Sequence, residues 1–169
     1  MPMKRHEDLA GQARHCREVS AGWMIQALGG RLGEVMKARL DRLGLTPDQM
    51  ALLHALAEGD GISQVEIGRR VRRANYAVTR NLDALAARGL ILRQPDEQSR
   101  RSHRVVLTEE GRTLMPVLFG VVSGVSTGLL APLTREERTG LLELLAKLVA
   151  AHVPPQDAPD GHVPEESEP

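Results

Sequence analysis

The amino-acid sequence predicts a mostly α-helical fold with one small β-hairpin. Three observations carry this expectation: apolar residues recur at helical spacing along most of the chain, two short alternating segments flank a single polar run, and helix-start signals stand at Thr46, Ser63, Thr108 and Thr134. A chain of 169 residues suits one domain, or one compact unit with helical extensions, and is long enough to bury a core.

Each element has its own local reason. From Val19 to Leu43 the apolar residues Val19, Met24, Leu28, Leu32, Val35, Met36, Leu40 and Leu43 share the face of an amphipathic helix, weakened in its middle by Gly29, Gly30 and Gly33. Thr46-Pro47 supplies an N-cap and a proline at the first helical position, so a second helix starts there, carries Met50, Leu52, Leu53 and Leu56, and stops at Gly59 and Gly61. Ser63-Gln64-Val65-Glu66 has the form of a reciprocal cap and predicts a short helix to about Val71. After a tight turn, Ala74 or Asn75 starts a further helix with Val78, Leu82 and Leu85 on one face and Tyr76, Thr79, Arg80 and Asp83 on or near the other, closed by Gly89. Leu90 to Arg93 and Arg104 to Leu107 then read as paired strands, with Pro95 to His103 as a polar loop between them. Thr108-Glu109-Glu110 opens a helix that runs to about Leu130 before Pro132. A last helix from Thr134 carries Leu141, Leu142, Leu144, Leu145, Leu148 and Val149. After His152 the Pro- and acid-rich composition predicts a disordered acidic tail over 154–169.

Charge distribution narrows the function. The formal net charge is zero, with 22 basic and 22 acidic residues, but the balance conceals an asymmetry. Five acids and no Lys or Arg lie in the tail, which leaves the rest of the chain at +5; ten Arg and four acids between Ile62 and Thr108 make that stretch +6. A concentrated basic segment is the footprint of phosphate binding, since each neutralised phosphate releases condensed counterions. The segment is also two helices and a hairpin, a winged helix-turn-helix able to lay one helix in the major groove of a duplex and reach sideways with its hairpin. Arg80 on the outer face of the second helix suits bidentate pairing with a guanine edge, with Asn75 and Tyr76 at the entering end of that helix. Ser63 and Thr79 are candidate register-setting contacts, Arg73 and His103 are further candidate DNA contacts, and Arg100 and Arg101 in the wing suit a narrow minor groove.

Ala77-Val78-Thr79-Arg80-Asn81-Leu82-Asp83-Ala84-Leu85, Gly89-Leu90, the Arg101 wing and Leu107-Thr108-Glu109-Glu110-Gly111 together resemble the MarR (multiple antibiotic resistance regulator) family, over Leu43 to about Val149. The resemblance implies a winged helix-turn-helix head over 46–108 between N-terminal dimerisation helices in 1–45 and C-terminal ones in 109–153. It implies a homodimer on pseudo-palindromic double-stranded DNA, commonly a repressor, and for many members release by a small phenolic or lipophilic effector. Three positions depart from the family pattern. Ser99 stands where an Asp usually holds the wing arginine, which implies a less preorganised Arg101. Arg72 stands where the turn before the recognition helix usually has Gly, with Arg73 at a usually apolar place beside it, and Tyr76 replaces a small polar residue.

Other functions find weaker footing. No phosphate loop, nucleophile elbow or metalloprotease motif is present, so no enzyme and no cofactor are expected. His6, His15 and Cys16 lack diagnostic metal-ligand spacing. The lone Cys16 leaves a redox-sensing regulator as an alternative, and the absence of a disulfide framework and of an apolar leader in Met1 to Glu18 fits a cytoplasmic protein. The uncharged stretch Thr113 to Thr134, with Gly120, Gly124 and Gly128 four apart, raises a helical interaction or membrane-associated dimer as the alternative of a different class. Its Thr, Ser and Pro content argues against insertion, so no membrane partner is expected.

Overall fold

The computed structural model describes residues 3–96 and 99–153, with side chains from 9 to 95 and from 103 to 153. The acidic tail and its expected disorder lie outside the described residues. Among the described residues, seven helices and three strands follow in the order α1 (Met3–Val19), α2 (Ala21–Asp41), α3 (Pro47–Glu58), β1 (Ile62–Ser63), α4 (Gln64–Val71), α5 (Asn75–Ala87), β2 (Ile91–Asp96), β3 (Ser99–Leu107), α6 (Glu109–Leu129) and α7 (Arg135–His152). The chain divides into two compact units, one up to Leu45 and one from Thr46 onward.

In the first unit the Ser20 hydroxyl accepts from the Trp23 amide, and this cap separates α1 from α2. Trp23, Met24, Ile25 and Leu28 of α2 are exposed.

The second unit holds the core. Thr46 caps α3 reciprocally: its Oγ1 accepts from the Gln49 amide at 3.2 Å and the Gln49 Oε1 accepts from the Thr46 amide at 3.0 Å. Leu52, Leu53 and Leu56 of α3 are buried, and α3 packs against α4, α5, α6 and β3. Ile67 of α4, Val78, Leu82 and Leu85 of α5, and Ile91, Val105 and Leu107 of the sheet complete the enclosure. The expected face of α5 is therefore the buried one.

Two expectations are corrected. The reciprocal cap at Ser63 forms only by half. Its hydroxyl accepts from the Glu66 amide at 3.2 Å, but the Glu66 carboxylate turns away to Arg69 at 2.7 Å and Arg70 at 2.8 Å, because guanidinium donors bind a carboxylate more strongly than a neutral amide does. The hairpin is also longer than its polar run suggested. Antiparallel pairing runs from Ile91–Leu107 to Pro95–His103, then shifts register so that Asp96 faces Ser99. Ladder hydrogen bonds satisfy the backbone whatever the side chains, so exposed polar residues there carry no alternation to read. A third strand was not foreseen. β1 pairs with β3 through Ile62–Val105 and Ser63–Arg104, giving the order β1-β3-β2, and two residues are too few to show a period.

Two close approaches tie the hairpin to α5 and α6. Gly89 turns the chain with φ 70°, a left-handed conformation that glycine adopts without penalty. Gly111 sits so close to the Leu90 carbonyl that a Cβ there would collide with backbone. α6 is the one helix among the described residues long and apolar enough to cross a membrane, with mean hydropathy 1.3 over its most apolar stretch. It is nonetheless seated in the core through Gly111, Met115, Leu118 and Val125, packed on α3 and β3. α7, capped by Thr134 and Glu137, has no buried residue at all.

Candidate nucleic-acid interface

The geometry starts from the turn between α4 and α5. Arg72 ends α4 with φ 50° and ψ 51°, the only positive φ outside glycine among the described residues. A left-handed residue here bends the chain sharply, and the amides of Arg72 and Arg73 fold back on the carbonyls of Arg69 and Gly68. The place where the family resemblance implies a glycine therefore takes glycine's conformation with an arginine in it.

α5 begins at Asn75 with no side-chain cap on Ala74, so the first amides of the helix are left facing outward, as a phosphate ligand requires. Asn75 is exposed, and Tyr76 is 81% exposed, so the ring projects outward instead of packing inside the head. Arg80 is exposed one turn on from Tyr76, and among the described residues it has no ion-pair partner. Its guanidinium is held back by nothing that a base edge would have to displace.

Thr79 has a different task from the one expected of it. Its Oγ1 accepts from Gln64 Nε2 at 2.6 Å and donates to the Asn75 carbonyl at 2.9 Å, so its one proton is already used. It ties α4 to α5 and fixes their angle. Ser63, half-buried, is likewise occupied by the α4 cap. Arg73 is exposed and pairs with Asp48 at 2.9 Å. An exposed pair of this kind contributes at most about 1 kcal/mol, so a phosphate can take the guanidinium at little cost.

Ser63, Gln64, Thr79, Arg93 and His103, with Val65 and Val105, line a groove of about 580 Å³ between the helix pair and the hairpin. His103 is exposed on β3 opposite Pro95. Arg100 and Arg101 belong to β3 where its register against β2 shifts; their side chains lie outside the described residues. Asp83 orients a neighbouring arginine: its carboxylate pairs with Arg93 at 2.6 Å and couples α5 to β2.

One positioning residue escaped the sequence reading. Asp60 accepts from the Gly61 and Leu107 amides, the latter at 2.8 Å, and pairs with Arg112 at 2.6 Å, so a single carboxylate binds the start of β1, the end of β3 and α6. Asp60 stands between the two glycines that end α3, where an Asp reads as turn chemistry; its partners are 47 and 52 residues away and leave no local signal.

Cys16 is exposed on α1, and no group of three or more potential metal ligands gathers among the described residues. Glu66 is the strongly perturbed acid: hydrogen bonds from Arg69 and Arg70 hold its carboxyl at about 2.

A three-strand sheet against a helix pair, with the outward face of the second helix unobstructed, defines a winged helix-turn-helix. Residues 43–102 match the sequence model of the MarR family. The fold extends the likeness beyond that segment. MarR from E. coli in its apo form superposes with a TM-score of 0.71 at 25% identity, over 78% of this chain and 97% of that one. A MarR-family transcriptional regulator from Silicibacter pomeroyi gives 0.64 at 29% identity, over 80% and 91%. A cysteine-to-serine mutant of the E. coli protein complexed with operator DNA gives 0.67 at 24% identity, over 79% and 96%. The kinship is with transcriptional regulators, not enzymes.

Proposed function

We propose that the protein is a sequence-specific regulator of transcription that binds double-stranded DNA, a homodimeric repressor of pseudo-palindromic operators released by a small-molecule ligand in the cytoplasm. The observation that carries this reading is the outward face of α5, where Asn75, Tyr76 and Arg80 are exposed while Val78, Leu82 and Leu85 lock the opposite face into the core. A helix held rigidly by one face and polar on the other can enter a major groove without rearranging. Arg80 reads a base edge, Arg73 and the first amides of α5 take phosphates, and Arg100 and Arg101 reach the flanking groove. The E. coli relative solved with operator DNA has the same fold.

Dimerisation is supported by the apolar side chains that the single chain leaves uncovered: Trp23 and Met24 of α2, Phe119 of α6, and Leu144, Leu145 and Leu148 of α7. A Cβ added at Gly120 or Gly128 would meet nothing, so these glycines keep a surface of α6 low for a neighbour outside the chain. Release follows from a population shift: an effector that binds better when the two heads are spaced wrongly for half-sites about one helical turn apart lowers affinity by its differential binding energy.

The test is fluorescence anisotropy with duplexes from the region beside the protein's own gene. Arg80→Ala loses discrimination at one base pair per half-site by about 1–3 kcal/mol, whereas Arg101→Ala weakens all duplexes alike and shallows the salt dependence. Unchanged affinity in both variants overturns the assignment.

A further inference from the structure

Between Thr46 and Leu107, the large apolar side chains left exposed among the described residues are Val65, Tyr76 and Leu92. Leu92 alternates along β2 with the buried Ile91 and with Arg93, which lines the groove between the helix pair and the hairpin, so Leu92 stands on the far face of the sheet. Val65 and Tyr76 each hold the second position of a helix, in α4 and α5 respectively. Val65 lines the same groove as Thr79, and Thr79 follows Tyr76 by three residues on the same side of α5. The Gln64–Thr79 hydrogen bond of 2.6 Å thus brings the two helix starts to one surface. The polar groups beside them are already engaged: the Thr79 hydroxyl donates to the Asn75 carbonyl, the Ser63 hydroxyl accepts from the Glu66 amide, and Gln64 donates to Thr79. What this surface offers a base edge beside Arg80 is therefore largely apolar. In the major groove the apolar mark is the C5-methyl group of thymine, and the other three bases carry none.

We propose that Val65 and Tyr76 are specificity-determining residues that seat thymine C5-methyl groups in the major groove, so that each half-site carries thymine close to the guanine read by Arg80. Charge brings the duplex to them, since the exposed Arg73 and Arg80 flank Tyr76 along the chain. The phenol ring covers a methyl group while its hydroxyl stays in water. Val65 has a branched side chain that gains nothing from its own helix and, at 68% exposed, packs on little of its own chain. Four residues of α-helix rise about 6 Å, roughly two base-pair steps, so the thymine under Tyr76 lies within about two base pairs of that guanine.

The inference rests on the DNA-binding reading of the same face, and one experiment separates the two. Duplexes from the region beside the protein's own gene are prepared with thymine and, in identical sequence, with deoxyuridine throughout, which removes every C5-methyl group and keeps every hydrogen-bonding edge. By fluorescence anisotropy the full-length protein binds the thymine duplex at least about ten-fold tighter, each buried methyl group contributing about four-fold. Val65→Ala and Tyr76→Ala each narrow that ratio, and the double variant brings it close to one. Both side chains are exposed, so these substitutions leave the core intact. Tyr76→Phe keeps the ratio, because the ring and not the hydroxyl meets the methyl group. Equal affinity of the unaltered protein for the two duplexes overturns the inference and leaves the DNA-binding reading standing. A ratio that survives in the double variant overturns the assignment to these two residues, and binding to neither duplex overturns the DNA-binding reading and this inference with it.

Discussion

The winged head and α7 are both built from leucine-rich helices, yet they differ in where their leucines go. In the head, Leu52, Leu53, Leu56, Leu82 and Leu85 are all at most 2% exposed. In α7, Leu142, Leu144, Leu145 and Leu148 are 38–59% exposed. Helical periodicity is equally clear in both. The difference teaches that an apolar stripe says a partner exists without saying on which chain. Inside the head, the partner surfaces are the neighbouring helices and the sheet; for α7 the described residues supply no such surface.

The largest effect that sharpens this contrast belongs in the head. Leu53→Ala, which empties a site at the hub of α3, costs about 2–5 kcal/mol, read as a lowered urea midpoint. Leu144→Asp with Leu148→Asp leaves the fold of the head intact but weakens dimerisation by at least about thirty-fold, read by sedimentation at falling concentration. If that pair lowers head stability as much as Leu53→Ala does, the contrast is wrong.

A smaller effect tests the head's surface charge. The Glu66 carboxyl titrates at about 2 in the folded protein against an ordinary 4.5, so its contribution is complete above 4.5 and is lost as pH falls towards 2. Stability therefore rises with pH across that window, and Glu66→Gln flattens the rise, checked by urea unfolding at a series of pH values. The smallest effect is at the turn. Arg72→Gly removes the left-handed strain of a side-chain-bearing residue but adds freedom to the unfolded chain, for a net gain of at most about 1 kcal/mol in thermal unfolding. A clear loss there shows that the contacts of the Arg72 side chain outweigh the strain.

Much of the site was legible because its cues are local. Capping residues at Thr46, Thr108 and Thr134, the core spacing of Val78, Leu82 and Leu85, and the turn glycine Gly89 all act within a few residues of themselves. What escaped depends on distant partners. Thr79 looked like a free hydroxyl until Gln64, 15 residues away, was placed beside it, and Glu66 looked like a cap until two arginines competed for it. The hairpin was underestimated because strand pairing in an exposed, polar segment is decided by the opposite strand.

By itself the sequence determined the helices from α2 to α7 to within a few residues, the buried face of α5 and the outward placing of Arg80 and Tyr76, since these follow from 3.6-residue periodicity and caps that act within one turn; α1, which has no such apolar stripe, it did not give. Only the tertiary structure decided that Asp60 clamps β1, β3 and α6 together, that Arg72 occupies a left-handed turn, and that α7 keeps no buried residue among the described ones. Those outcomes depend on which surfaces meet across long sequence separations, and no local pattern encodes that meeting.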